Sequence, residues 1–189
     1  LIVEDLAMVV ALVLLPALAE ALGGHAAGDH APPDGNLFLT DAGRNSVLKF
    51  STGGRFLGEA GGPGSGDGRF DRPAGISRRM GFGLFVCDAH NNRLVQINED
   101  LSILSSFSLD GKTSDNTFSP CAIASSRDGL LYPAGPGDGE VLVLEKDNRI
   151  YPLSGKGRAR PASVLSPRSL AVLTNIYMDD ARTGRIYVF

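Results

Sequence analysis

This chain has few of the residues that build catalytic and metal centres. It holds 3 histidines and 2 cysteines in 189 residues. His25 and His30 lie in a stretch rich in Gly, Ala and Pro, and His90 has no second His or Cys at ligand spacing. That scarcity excludes a zinc centre of converging histidines. There is no Gly-x-Ser-x-Gly elbow, no phosphate loop and no Cys-x-x-Cys. Gly61 to Gly68 is Gly-rich, but it lacks a Lys-Ser/Thr pair and opens no helix, so it reads as a connecting loop. Gly137-Asp138-Gly139-Glu140 offers two carboxylates, too few for the 6–8 oxygens of a calcium site, and reads as a hairpin turn. No metal and no cofactor is expected. Basic charge is also short: Lys+Arg is 18 against 21 Asp+Glu, a formal net charge of −3. Gly155 to Pro161 is a small basic loop, not a broad basic face, so nucleic acid is not an expected partner. No 3.6-residue periodicity runs beyond residue 22, which makes the class all-β.

The opening segment stands apart from the rest. Met8 to Ala19 is uncharged and apolar, and Ala17-Leu18-Ala19 is a small-x-small site. Residues 1–19 read as a secretory signal peptide, although Glu4 and Asp5 stand where basic residues are usual. A membrane anchor is the second reading, but the run is short of about 20 residues and contains Pro16. Cleavage would shift the net charge from −3 to −1 and place the protein outside the cytoplasm, in the periplasm or beyond. Residues 20–35 read as a flexible linker. Cys87 and Cys121 could pair after export. Their positions in and beside apolar runs favour small buried hydrophobes.

What the chain has in quantity is repetition. Leu37 to Asp41 is an apolar run ending at an acid, followed by a polar loop and Val47-Leu48-Lys49-Phe50. The same pattern returns at Leu84–Asp88 with Leu94–Ile97, at Leu130–Ala134 with Val141–Leu144, and at Asn175–Asp179 with Ile186–Phe189. Aligned positions 41, 88, 134 and 179 are 47, 46 and 45 residues apart. A fixed period of this length, made of short strand-like runs, indicates the four-stranded antiparallel blades of a β-propeller. Strands are expected near 37–41, 47–51, 55–60, 73–77, 84–88, 93–98, 102–108, 121–125, 130–133, 141–145, 149–153, 168–172, 175–179 and 185–189.

The second repeat carries a more specific signal. Gly66-Asp67-Gly68-Arg69-Phe70-Asp71-Arg72-Pro73-Ala74-Gly75-Ile76, then Leu84-Phe85-Val86-Cys87-Asp88-Ala89-His90-Asn91-Asn92-Arg93-Leu94, resembles the NHL repeat. That pattern runs G-x-F-x-x-P-x-G-I-A and V-Y-V-A-D-x-x-N-x-R-I. The first copy keeps Asp41, Asn45 and Gly54 to Leu57, with Ser46 at the Arg position. The third keeps Phe118, Pro120 and Ile123 and has Ala134 for the acid. The fourth keeps Pro167, Leu170, Asp179 and Arg185. The resemblance spans residues 36–189 and implies an NHL-type β-propeller. Such rings usually close with six blades, whereas the strand inventory gives three and a half. An incomplete ring is therefore expected, with self-association through open blade edges as one consequence.

Each repeated element has a packing role. Asp88 and Arg93 flank a tight loop between paired strands, and a charged pair there can hold the loop. Asp41, Asp179 and Arg185 are read in the same way, as structural loop residues. The resemblance implies that the first strand of each blade lines the channel. Those strands carry Ala74, Gly75, Ile76 and Ser77, then Cys121 to Ala124, then Arg168 to Ala171. They present no His, Asp or Glu as a general base. The expected function is a non-catalytic exported scaffold that binds a protein, peptide or glycan through its loops. Arg44, His90, Asn91, Arg127 and Arg182 are the candidate binding side chains by loop position. The alternative is a propeller enzyme, a lyase or lactonase, whose catalytic residues lie in other blades.

Overall fold

Short apolar runs separated by Gly, Asn and Asp turns give strands, and among the described residues every regular element longer than one turn is a strand. A computed structural model describes residues 35–113, 118–135 and 141–153, together with the backbone of three later strands. The signal-peptide reading of residues 1–19 and the linker up to residue 34 lie outside the described residues.

The strands form four antiparallel sheets in chain order. The first is β1 (Leu37–Asp41), β2 (Ser46–Phe50) and β3 (Phe56–Gly61). The second is β4 (Pro73–Arg79), β5 (Gly83–Asp88), β6 (Arg93–Ile97) and β7 (Ile103–Ser108). The third is β8 (Ala122–Ser125), β9 (Leu131–Ala134), β10 (Leu142–Leu144) and β11 (Ile150–Pro152). The fourth is β12 (Pro167–Val172), β13 (Ile176–Asp180) and β14 (Arg185–Val188). A single 3-10 turn, Ala89–Asn91, lies between β5 and β6. Each expected strand is present within two residues of its expected limits. This is the architecture of an incomplete β-propeller, with two four-stranded and two three-stranded blades among the described residues.

The register corrects one position. Arg93 faces Asp88 across β5 and β6. In the fourth blade Arg185 faces Asp180, and Asp179 faces Ile186. Pro73 pairs with Asp88, and Pro167 with Asp180, in the same way. The counterpart of Asp88 is therefore Asp180, not Asp179. In the first two blades the acid ends the strand and four residues separate it from the start of the next. The sequence alone could not choose between two adjacent acids.

The chain divides into two compact units. In the smaller one, Phe50 and Phe56 meet edge-to-face at 5.7 Å, and the turn between them is closed by Ser51 N–H donating to Arg55 O at 2.9 Å. In the larger one, β5 is buried along nearly its whole length. Its alternate residues feed two cores. Leu84 and Val86 pack with Val47, Phe70, Val95 and Ile97. Phe85 and Cys87 pack with Leu94 of their own blade and with Ile123, Leu131, Leu142 and Leu144 of the next blade. A strand covered on both faces must be apolar at every position, so its sequence is a run, not an alternation. Tyr132, Ala134, Val141 and Val143 build a further cluster on the other face of blade 3.

Candidate functional site

The chain reverses between the second and third strands of blade 2 within a few residues. Ala89–Asn91 make one 3-10 turn, and Asn92 closes it in the left-handed region at φ 47°. Asn45 does the same before β2, at φ 57°. Asparagine tolerates this conformation better than other non-glycine residues. By position, then, Asn45 matches Asn92, and Arg44 stands where blade 2 has Asn91.

Asp88 ends β5 with its side chain fully buried. Its carboxylate accepts from Asp71 N–H at 2.7 Å, Asn91 Nδ2 at 2.9 Å and Arg93 Nε at 2.7 Å. Arg93 spends its other donors on carbonyls of the incoming loop: Nη1 on Ser65 O at 2.9 Å, and Nη2 on Gly66 O at 3.2 Å and Arg69 O at 2.8 Å. Asn91 also donates to Gly64 O at 2.9 Å. These three side chains clamp the Gly61–Arg72 connection onto the β5–β6 turn. A guanidinium fork suits several fixed carbonyls better than a lysine would. The glycines let the loop lie this close. Gly61 has φ 125°, and a Cβ there would sit 2.7 Å from Asn45 O and 2.8 Å from the Phe70 ring.

The candidate binding residues do not form one cluster. Arg44, His90 and Asn91 lie on turns at the same end of the sheets, where Asn45 accepts from Gly62 N–H at 2.8 Å and from Arg72 N–H at 2.7 Å. Arg44 is paired with Glu59 at 3.0 Å, and His90 Nδ1 lies 3.3 Å from Asp71 Oδ1. Asn91 is engaged in the clamp. Arg127 lies in the β8–β9 turn, at the other end: Ser125 pairs with Leu131 there, as Arg79 pairs with Gly83. Arg182 lies outside the described residues, and of Asp179 and Arg185 only the backbone register is described. In the first blade Ser46 replaces the arginine, and Asp41 binds its own loop through Gly43 and Arg44 N–H groups, each at 2.9 Å.

Cys87 and Cys121 are not joined to each other in a disulfide, and Cys87 is buried while Cys121 is half-buried. Cys87 donates weakly to Ala122 O at 3.7 Å. Burial pushes its pKa well up, with the nearby Cys121 adding to the shift, and burial raises Cys121 to about 11. Among the described residues no three His, Cys, Asp or Glu side chains group as a metal site.

Comparison with known proteins supports the architecture. No family model matches the chain. A protein of Methylorubrum extorquens described as an uncharacterized protein in the phaC 3' region is 70% identical over 43 residues, 21% of this chain and 16% of that one. Among solved structures, virginiamycin B lyase from Staphylococcus aureus superposes with a TM-score of 0.60 at 14% identity, over 85% of this chain and 53% of that one. A streptogramin B lyase gives 0.57 at 17% identity, over 85% and 52%. The RRP9 WD40 repeats give 0.57 at 15%, over 84% and 48%. The chain spans about half the length of these structures. Lyases and WD40 repeats resemble it equally well, so the likeness is one of fold.

Proposed function

We propose that this chain is part of an NHL-type propeller that works outside the cytoplasm as a non-catalytic binding scaffold, presenting its loops to a protein, peptide or glycan. The observation that carries this reading is the clamp of Asp88, Asn91 and Arg93. It spends the strongest charges on that turn on holding a loop in one shape, and a loop of fixed shape loses little entropy on binding. Arg44 and His90 stand beside the clamp on the same end of the sheets and are the side chains expected to meet a ligand. Arg127 and Arg182 are the remaining candidates. The test is a binding screen of the exported protein against glycan arrays and extracytoplasmic protein fractions. Alanine at Arg44, His90, Asn91, Arg127 and Arg182 together should abolish each interaction found. Retention of every partner by that variant would remove the residue assignment.

The second reading is a propeller enzyme, a lyase or lactonase, whose catalytic residues lie in other blades. Lactone turnover by the full-length protein that is lost with a chelator would favour it over the scaffold.

A further inference from the structure

The other end of the sheets holds a buried charge without an acceptor. Arg79 is the last residue of β4 and is 1% exposed. Its Nε and Nη2 have no hydrogen-bond partner. The guanidinium lies 4.6 Å from the centre of the Phe82 ring and 5.7 Å from that of Phe85. Aromatic faces attract a cation but leave its in-plane N–H groups unmet. Burial lowers the pKa of Arg79 from its usual value. A desolvated guanidinium without an acceptor is among the costlier features a fold can keep, and orphaned buried donors call for an explanation.

Asp128, beside Gly129, is exposed and makes no ion pair with Arg79, and three acids on other turns are paired with other arginines. Glu99 pairs with Arg78, and Glu145 and Asp147 pair with Arg149. A second cation is close by instead. A Cβ at Gly129 would lie 3.5 Å from Lys146 Nζ and 3.9 Å from Arg79 Nε, so the two positive groups flank Gly129, the buried residue of an otherwise largely exposed β8–β9 turn. Two cations converging from neighbouring blades, one of them with free donors, form a receptor for negative charge.

We propose that Arg79 and Lys146 form an oxyanion site between blades 2 and 3, which takes a carboxylate or phosphate group. Arg79 supplies the planar donors that match such an anion, and Lys146 supplies a mobile point charge at the rim. Phe82 covers the site. Its ring is 39% exposed and sits on the turn between β4 and β5, where Gly81 and Gly83 have φ of 77° and 92°. Turning that ring toward solvent uncovers the guanidinium. The site lies at the opposite end of the sheets from the Asp88 clamp, so it stands or falls separately from the scaffold reading.

NMR of the arginine Nε–Hε groups tests this directly. The Arg79 signal is assigned by its loss in Arg79→Lys. Sodium phosphate and sodium acetate are then titrated at constant ionic strength, with chloride as the control. The expected result is a saturable shift of the Arg79 signal with phosphate, acetate or both, and none with chloride. Phosphate alone would make the ligand a phosphate group, and acetate alone a carboxylate. Lys146→Ala, an exposed and fold-neutral change, should weaken binding by roughly tenfold, the scale of one lost charge-assisted contact. Phe82→Ala should bind at least as tightly as the parent. An Arg79 signal unmoved by both anions, or equal affinity in Lys146→Ala and the parent, would overturn the proposal.

Discussion

Asp88 is surrounded by donors and shielded from solvent, its side chain fully buried. Three N–H groups converge on a fully buried carboxylate, and one belongs to an arginine whose other nitrogens reach three carbonyls of a distant loop. Asp88→Asn keeps the shape and removes the charge, leaving Arg93 without its counter-ion. Breaking a buried pair in this way costs about 3–5 kcal/mol. The denaturant midpoint should fall at unchanged slope. Arg93→Lys keeps the charge and loses the fork, so it should cost less, about 1–3 kcal/mol. No loss in Arg93→Lys would mean that charge alone, without the fork, holds the loop. The Asp88–Arg93 pair was legible in the sequence from its spacing across a short turn. The reach of Arg93 to residues 65–69 was not, because its acceptors are backbone carbonyls and any residue type can supply those. The place of Asn91 in the clamp was hidden for the same reason, since one of its acceptors is the Gly64 carbonyl.

At the scale of elements, the inner strands β4 and β8 pack closely because Gly75 has no side chain. A Cβ there would lie 2.9 Å from both Ala122 Cα and Ile123 N. Those are backbone atoms and cannot move aside without shifting the strand. Gly75→Ala should therefore push blades 2 and 3 apart and cost about 1–3 kcal/mol, the scale of core overpacking. A thermal scan of the variant checks it, and an unchanged midpoint would mean that the blade spacing yields freely. The strands themselves were legible, since turn residues punctuate apolar runs throughout. Their ends were less so. β4 runs on through Arg78 and Arg79, because β5 pairs back as far as Gly83 and carries the ladder over two arginines that sequence alone places in a turn. That extension is what buries Arg79.

At the scale of the whole molecule, the period of 45–47 residues made the kind of architecture legible. The site was far less legible, because propellers place different chemistry on one frame. The two thiols give one property of the whole. Both are held protonated in the fold above the ordinary value of 9.0, Cys121 up to about 11. The unfolded chain releases these protons first, so it binds fewer protons than the fold above that ordinary value. Stability is then flat with respect to these groups below about pH 9 and declines as pH rises toward about 11. Urea midpoints measured across that range should fall in the parent and fall less in the double Cys→Ala variant. Parallel curves would show that the thiols do not set the alkaline limit.

The cores also tie neighbouring blades into one unit. Phe85, Cys87 and Leu94 of blade 2 share a cluster with Ile123, Leu131, Leu142 and Leu144 of blade 3. In a repeat architecture stability is a sum of unit and interface terms, so a defect travels only as far as its interface carries it. Leu131 is fully buried in that shared cluster. Leu131→Ala removes apolar contact from both sides of the boundary and should cost about 2–5 kcal/mol. If the boundary carries that loss, hydrogen exchange should speed at Phe85, Cys87 and Leu94 in blade 2 as well as at Leu142 and Leu144 in blade 3. Tyr132 and Val143 lie in the separate cluster on the far face of blade 3, and a blade-wide opening would speed their exchange too. Faster exchange confined to β9 and β10, with β5 and β6 still protected, would show that the blades open independently and that the shared cluster does not couple them.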